Sequence, residues 1–542
     1  MTDPRVDSAA PLRILPSGSG AILVELPDLA DTMALLADLQ AEPLHGVLEM
    51  VAGARTLSLR FDPHVTSATD LTSALALRRL RPPRPESQRT VEIPVRYDGE
   101  DLAEVARLTG LSETEVIRRH TQSPWTVAFG GFAPGFAYLS GGDPALDVPR
   151  RKAPRTRIPA GAVALAGCFS GVYPTASPGG WQIIGTTPVR MWDLTRQPPA
   201  LLSAGDRVRF VEISDTKYAE IAAQTQAAPL SADAAHMIGA QGRLTVTKSP
   251  FPILLQDAGR SGQTAQGVSA SGVMDLGALR SLNRMLGNPP DCAALEITGG
   301  ASFRIDAPAV LAVAGAPCGI TINSTLRLPS HQPIALDAGD EVTLSPPASG
   351  VRALLGLRGG FKVEPVLGSL ATDTLAGLGP APLACGDSLA LADAPAIAVG
   401  DPEPAADLPR AGETVTLDIL LGPRADAFTP EMLALLTGQE WEVSQQSSRV
   451  GLRLNGAQPL LRDDATELPS EGTVRGAIQV PHSGQPVLFM ADHPLTGGYP
   501  VIGVVAAHHL DLAAQIPPGA RIRFRPLAPF AEIGAFELER SL

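Results

Sequence analysis

Glycine and proline constrain this chain more than any other feature, with 53 glycines and 51 prolines among 542 residues. Glycine allows the positive φ of tight turns, and proline removes a backbone donor from helix or ladder. The apolar runs left between them are mostly strand-sized, and aromatic residues make up only 4%. Such a chain is expected to be mainly β, its cores built from aliphatic side chains on short strands.

Length and charge narrow the class further. A chain of 542 residues exceeds what one hydrophobic core usually supports, so several domains are expected. No segment approaches the ~18 uninterrupted apolar residues of a membrane span. With 56 acidic against 43 basic side chains, the net charge of −13 argues against nucleic acid or an anionic membrane as partner. A small molecule or another protein fits better, and a homo-oligomer stays open. The N-terminus lacks a signal-peptide pattern, and Cys168, Cys292, Cys318 and Cys385 lie far apart. A reduced, cytoplasmic setting is therefore expected.

The periodicity predicts six segments. Residues 1–87 read as a small α+β domain, with strands near Ala21–Leu26, Val47–Val51 and Thr56–Phe61 and a helix over Asp31–Leu39. Residues 88–214 read as a β domain that opens with two short helices, started by the capping boxes Asp101-x-x-Glu104 and Ser112-x-x-Glu115. Residues 215–241, rich in Ala, Gln and Ser, read as a linker. A β domain is expected over 242–395, with one helix capped by Asp275 and ended by Gly287. A proline-rich linker over 396–413 and a β domain over 414–542, with a helix from Pro430, complete the chain.

A faint repeat links the halves. Gly179-Gly-Trp-Gln-Ile-Ile-Gly185 and Gly497-Gly-Tyr-Pro-Val-Ile-Gly503 share one pattern, each followed by a similar strand, Gly205–Phe210 or Gly519–Phe524. Two related β domains, one per half, are expected.

The familiar catalytic signatures are missing. The sequence has no P-loop, no His-Glu-x-x-His, no Cys-x-x-Cys, no complete Gly-x-Ser-x-Gly and no Ala-Met-Lys-Met biotin-attachment sequence; no metal-binding motif is present. Arg150–Arg157 puts five cations into eight positions, and Arg155 and Arg157 are candidates for holding phosphate or carboxylate. A solvated loop would have the same composition. The loop Gly130–Leu139 offers Gly131, Phe132, Pro134 and Phe136 as a wall that a ligand could approach closely, and Ser177, Gly180 and Trp181 offer a second. Hairpin corners packed by their own rings would look alike.

In the second half, Gln256-Asp257-Ala-Gly-Arg260 and Ser269–Asp275 bracket a short stretch, and Asn283 lies on the apolar face of the following helix. A buried Asn there is either hydrogen-bonded or part of a site. Asp257, Asp492 and His493 are the candidate acid, base or orienting groups. Gln256, Arg260, Asn283, Gln479, Thr496, Gly498 and Tyr499 are candidate binding residues. The residues alone leave exposed turn polars as the alternative near 479–499.

These strings carry a family resemblance. Gly131–Leu139, 149–167 and Ser177–Gly185 resemble the family of 5-oxoprolinase B components, also called allophanate hydrolase subunit 1 or the sporulation kinase inhibitor. Gln256–Arg260, 268–275, 294–298, 358–379, 447–454 and 476–499 resemble the family of 5-oxoprolinase C components, also called allophanate hydrolase subunit 2 or the kinase-inhibitor antagonist. The resemblance spans about 12–213 and 243–530. It implies cyclophilin-like β-barrel domains in each half. It also implies the fused B and C components of an ATP- and magnesium-dependent 5-oxoprolinase, which opens the lactam to glutamate and needs a separate A component of the lactam-utilisation type. Phosphorylation of the lactam oxygen would create a better leaving group, with Arg155 or Arg157 opposite the developing charge. Two other functions share the family names: a kinase-regulating module and the carboxyltransferase component of a biotin-dependent urea or amide carboxylase. The biotin carrier, carboxylase and amidase portions have no counterpart in these residues, so a free-standing urea amidolyase is not expected. The sequence places the site between the halves, lined by Gly130–Leu139 and Arg155 or Arg157 on one side and Asp257, Asp492 or Tyr499 on the other.

Overall fold

The computed structural model describes residues 12–80, 89–151, 153, 155–227, 242–462, 468–536 and 539–540. The proline-rich segment after residue 80, Lys152 and the stretch 228–241 lie outside them.

Alternating aliphatic residues in Leu12–Pro16, Ala21–Glu25, Val47–Ala52 and Thr56–Phe61 build an antiparallel sheet covered by helix Leu29–Ala41, which Asp28 caps. A fifth strand, Gly534–Phe536, joins the free edge of Leu12–Pro16. The chain thus returns from the far end of the sequence to its first domain, and the expected 414–542 domain does not keep its own tail. Ile533 N–H donates to the Ile14 carbonyl, and Arg13 pairs with Glu532 and Asp426.

Two seven-stranded barrels form the body of the halves. In the first, the spatial order is Gln182–Thr186, Ala162–Ala166, Phe169–Val172, Ala137–Ser140, Trp125–Gly130, Arg207–Glu212, Thr90–Val95, and the bridge Arg96–Thr186 joins its ends. In the second, closed barrel, Val501–Val505, Ala477–Gln479, Val487–Phe489, Gly451–Gly456, Trp441–Val443, Arg521–Pro526 and Thr414–Leu421 follow the same order. Each barrel pairs its last strand parallel to its first. In each, a tryptophan indole, Trp125 or Trp441, donates to the carbonyl five residues earlier, His120 or Leu436. The repeat read from the glycine-glycine-aromatic strings is therefore a duplicated barrel, with 177–210 and 493–524 on equivalent strands.

Between the barrels lies a sandwich of a six-stranded and a five-stranded sheet closed over an aliphatic core that includes Phe303, Val313 and Leu355. Helix Leu276–Leu286 lies against Ala309–Gly315 and Arg352–Leu357; Asp275 caps it and Gly287 (φ 69°) ends it, as the sequence predicts.

Two expected linkers look different in the structure. Residues 215–227 are a helix, Asp215–Ala227, because alanine and glutamine suit a helix better than a free tether. Arg96 clamps its first turns, pairing with Asp215 and lying 4.2 Å over the Tyr218 ring. The 396–413 segment has no regular structure but is strapped down: Ile397 and Gly400 donate to Gly287 and Met285, and Glu403 pairs with Arg284 and Ser281. Among the described residues no helix is long and apolar enough to cross a membrane.

Candidate functional site

The halves meet at the glycine loop. Phe132 adopts φ 64°, and its N–H donates to Thr496 Oγ1 at 3.0 Å. A Cβ on Gly131 would lie 2.9 Å from Thr496 Cγ2, and one on Gly130 would lie 2.5 Å from the Ala265 carbonyl. Only glycine lets these backbones approach. Gly135 N–H reaches the Gln266 carbonyl, while Arg150 and Tyr138 reach Ser470 Oγ at 3.1 and 3.4 Å. Buried Pro134 and Phe136 stay on the first half's side, where Phe136 joins an edge-to-face cluster with Phe132, Tyr138, Tyr173 and Trp181. Beside the loop a cavity of about 230 Å³ opens between Leu36, Leu39, Met50, Phe129 and Thr264.

The arginine segment departs from expectation. Arg155 places both terminal nitrogens on Asp101, each at 2.8 Å, and one also on Glu100. Arg151 and the Ile183 N–H fill the rest of Asp101. Burial works to raise Asp101, but Arg155 and these further partners outweigh it and hold the carboxyl below its usual range. Asp101, read as a helix cap, makes no side-chain cap bond; it neutralises the arginines instead. Arg155 is therefore a structural ion pair and not a free phosphate holder, whereas Arg157 is exposed on its strand. Ser177 lies on the strand paired with that of Arg155, with its buried Oγ unpartnered. Gly180 accepts from Arg151 N–H, and Trp181 is buried in the aromatic cluster.

The second half's candidates gather in two places. Gln479 donates to the Tyr499 carbonyl at 3.1 Å, a Cβ on Gly497 would collide with Gln479, and the Tyr499 ring meets His482 edge-on at 5.1 Å. Gly498 abuts Arg150 and accepts from Leu468 N–H. Asn283 is a framework residue, donating to the carbonyls of Pro290 and Cys292.

The other group is a polar chamber assembled from 256–260, 269–275, 369–376, Arg449 and Asp492. Buried Asp492 accepts from Ser271 (2.7 Å), from Thr374 N–H and Oγ1 (2.9 and 2.6 Å) and from two Arg449 nitrogens (3.0 Å each). Burial works to raise it, yet the Arg449 charge and these bonds hold it below the usual carboxylate range. A saturated, ionised carboxylate is an anchor, so the expected acid or base role for Asp492 is corrected. Asp257 is likewise filled, by Gly259 N–H, Ser369 Oγ and Leu370 N–H. His493 sits 3.0 Å from the Pro494 carbonyl through Nδ1, and burial lowers its pKa, leaving a neutral ring.

Asp373 and Arg449 are the residues missed from sequence. Burial and the neighbouring Asp492 charge raise Asp373, and it accepts from Ser269 Oγ at 3.2 Å. Two nearby carboxyls pushed in opposite directions are the usual setting for one proton-carrying group. Arg449 bonds Glu296 at 2.6 Å as well as Asp492. The signal for both lies in strings 358–379 and 447–454, which resemble the C-component family. Gly267 links the chamber to the junction: a Cβ there would lie 2.3 Å from the Ala133 carbonyl, and two residues on, Ser269 faces Asp373. Chamber and junction are thus ends of one short segment.

A cluster of Asp418, His508 and His509 has ligand atoms within 4.8 Å of one another. Arg525 bonds Asp418 at 2.6 Å and Asp418 N–H donates to His509 Nδ1, so two of its ligand atoms are already engaged.

The comparisons with known proteins agree with this division. Residues 12–202 match the model of the carboxyltransferase domain, subdomain C and D, and residues 266–526 that of subdomain A and B. The 5-oxoprolinase B component of Bacillus subtilis is 39% identical over 202 residues, 34% of this chain and 83% of that protein. The 5-oxoprolinase C component of Escherichia coli is 33% identical over 291 residues, 52% of this chain and 90% of that protein. The crystal structure of TTHA0988 superposes with a TM-score of 0.78 at 34% identity, covering 92% of this chain and 97% of that one. The chain belongs to the carboxyltransferase-domain family, with subdomains C and D and subdomains A and B, relatives of the B and C components of 5-oxoprolinase, fused in one polypeptide.

Proposed function

We propose that the chain supplies the B and C components of a 5-oxoprolinase and works with a separate A component, opening the 5-oxoproline lactam to glutamate with consumption of ATP in the presence of magnesium. The observation that carries this reading is the junction itself. The B-like glycine loop and the C-like 264–271 and 470–498 segments interlock through bonds such as Phe132–Thr496, as expected of two components whose function depends on their pairing. Fusion keeps the halves at high effective concentration.

Phosphorylation of the lactam oxygen activates the ring carbon toward water. The ring C–N bond then breaks, the nitrogen leaving with a proton as the amino group of glutamate, and phosphate is released when the acyl phosphate is hydrolysed. These intermediates need protection from bulk water. Arg157 is exposed on its strand, where an anionic group can reach it, and Asp373, raised by burial and the Asp492 charge, is a carboxyl able to carry a proton. Mixing the purified chain with an A component should give ATP turnover that depends on 5-oxoproline, while the chain alone gives little. Absence of lactam-dependent turnover in the mixture refutes the proposal.

A second reading, a carboxyltransferase acting with biotin carried on another protein, is favoured by 31% identity over 307 residues to urea amidolyase of Saccharomyces cerevisiae, of which the match covers 16%. Biotin-dependent carboxylation of urea in the presence of a biotin carboxylase tests it.

A further inference from the structure

The chamber holds two polar side chains whose hydrogen-bonding capacity the protein leaves unused. Gln256 is 0% and Arg260 is 1% exposed. Gln256 Nε2 donates to the Thr372 carbonyl at 2.8 Å, and Arg260 Nη2 donates to the adjacent Ala371 carbonyl. Both side chains therefore converge on one stretch of backbone. Gln256 Oε1, Arg260 Nε and Arg260 Nη1 have no partner. Buried polar atoms rarely go unpaired, and each one costs free energy. These three are complementary, with one acceptor and two cationic donors four residues apart in sequence.

The surroundings select against an anion. Burial lowers the Arg260 pKa, while the charges of Asp373, Asp257 and Asp492 act through space in the opposite direction, so an anion reaching the guanidinium would also meet these carboxylates. A neutral group with an acceptor for the guanidinium and a donor for Gln256 fits that field. A trans peptide points its C=O and N–H in opposite directions, so one such unit cannot serve both. A ring lactam is a cis amide and carries the two on one edge.

We propose that Gln256 and Arg260 form a binding site for the amide edge of a lactam, with Arg260 N–H groups on the carbonyl oxygen and Gln256 Oε1 accepting the ring N–H. This rests on the 5-oxoprolinase reading and deepens it by assigning the lactam to the second half. The 270–272 backbone packs directly on Ala258 and Gly259, between the two side chains in sequence, and Gly379, whose Cβ would lie 2.1 Å from the Ala371 carbonyl, fixes the backbone that both side chains grip.

The test is binding to the whole chain, without the A component, by calorimetry or ligand-observed NMR. The probes are 5-oxoproline, its N-methyl derivative, 2-pyrrolidone and urea. The site predicts that 5-oxoproline and 2-pyrrolidone bind and that N-methylation weakens binding at least about tenfold, since Gln256 Oε1 is then left unpaired. Arg260→Lys and Gln256→Met should abolish lactam binding, and Arg209→Ala, at an exposed surface pair with Glu92, should not. Should either chamber variant fail to fold, the N-methyl comparison on the unaltered chain still decides. Equal binding of the N-methyl compound, binding of urea in place of the lactams, or loss of binding in Arg209→Ala overturns the proposal. So do crystals grown with 5-oxoproline that show only water on Gln256 Oε1 and Arg260. No lactam binding by the chain, together with lactam-dependent turnover in the mixture with the A component, overturns this site alone; absence of turnover counts against the functional reading instead.

Discussion

Replacing Arg449 by methionine isolates the energetics of the chamber. Arg449 is 6% exposed, and its guanidinium bonds Asp492, Glu296 and the Gly272 carbonyl, tying the second barrel to the sandwich. Methionine keeps much of the volume and removes the charge. It strands Asp492 and Glu296, both buried, without their main counter-charge. Removing one partner of a buried pair typically costs ~3–5 kcal/mol, against ~0–1 for an exposed pair. The exposed pair Arg209–Glu92 is the control. Denaturant unfolding followed by amide hydrogen exchange in the second barrel, where Trp441 is buried, reports the relevant transition even if the domains unfold separately. The sign with pH is fixed. Arg449 holds Asp492 below its ordinary value; without it, burial raises Asp492, and protonation relieves the variant. The deficit should therefore be largest at neutral pH and shrink as pH falls through the raised value. A loss under about 1 kcal/mol, or one unchanged between pH 7 and pH 4, would refute the reasoning.

Asp373→Asn should be neutral or stabilising at pH 7. Burial and Asp492 raise Asp373 in the fold, so ionisation penalises folding as pH rises above the ordinary carboxylate value of 3.8, and the gain should vanish below it in a pH series of melts. Arg155→Ala should lower stability by ~1–3 kcal/mol, because Asp101 is left buried without its bidentate partner, while Arg157→Ala should change stability by less than about 0.5; thermal melts separate them. Gly131→Ala should cut lactam-dependent turnover in the complex, since the added Cβ meets Thr496 at 2.9 Å. Wild-type turnover in a folded Gly131→Ala protein would detach the junction from the reaction.

How far the sequence could be read follows from the range of each interaction. Turn residues and alternating aliphatics act locally, so the β-rich class, the helix capped by Asp275 and the duplicated strands could be read directly. Asp101 misled because its spacing to Glu104 is that of a cap, whereas Arg155, 54 positions away, claims its carboxylate. Arg449 looked like one charge in a serine-rich turn; its burial comes from Gly272, Glu296 and Asp492, which no local pattern connects. Asp492 and Asp257 stand out in the sequence as candidate acids or bases, but their chemistry depends on how many donors reach them. Several of those donors are distant in sequence, Ser271, Thr374 and Arg449 for Asp492 and Ser369 and Leu370 for Asp257.

The duplication also explains where chemistry can reside. In the first barrel His120 is fully buried, pushed by burial to about 3 and hence neutral; it bonds Tyr97 at 2.7 Å and Ser170 at 2.9 Å. The equivalent position in the second barrel, defined by the matching tryptophan bond, is Leu436. At this position the first barrel carries a satisfied polar trio and the second a buried aliphatic side chain, so neither offers a free group there. Unpaired buried polar atoms occur on the first barrel's Gln182 and, outside the barrels, on Gln256 and Arg260; capacity that two domains hold in place is the kind a ligand can use. The chamber meets that condition, since the sandwich supplies Gln256, Arg260 and Asp373 while the second barrel supplies Arg449 and Asp492. Among the described residues the first barrel approaches it through the glycine loop, where Ala133 and Gly135 meet the 266–267 backbone. A catalytic role for the B-like half must then act by positioning segment 267–271, and substitutions in the glycine loop should alter lactam affinity and turnover together.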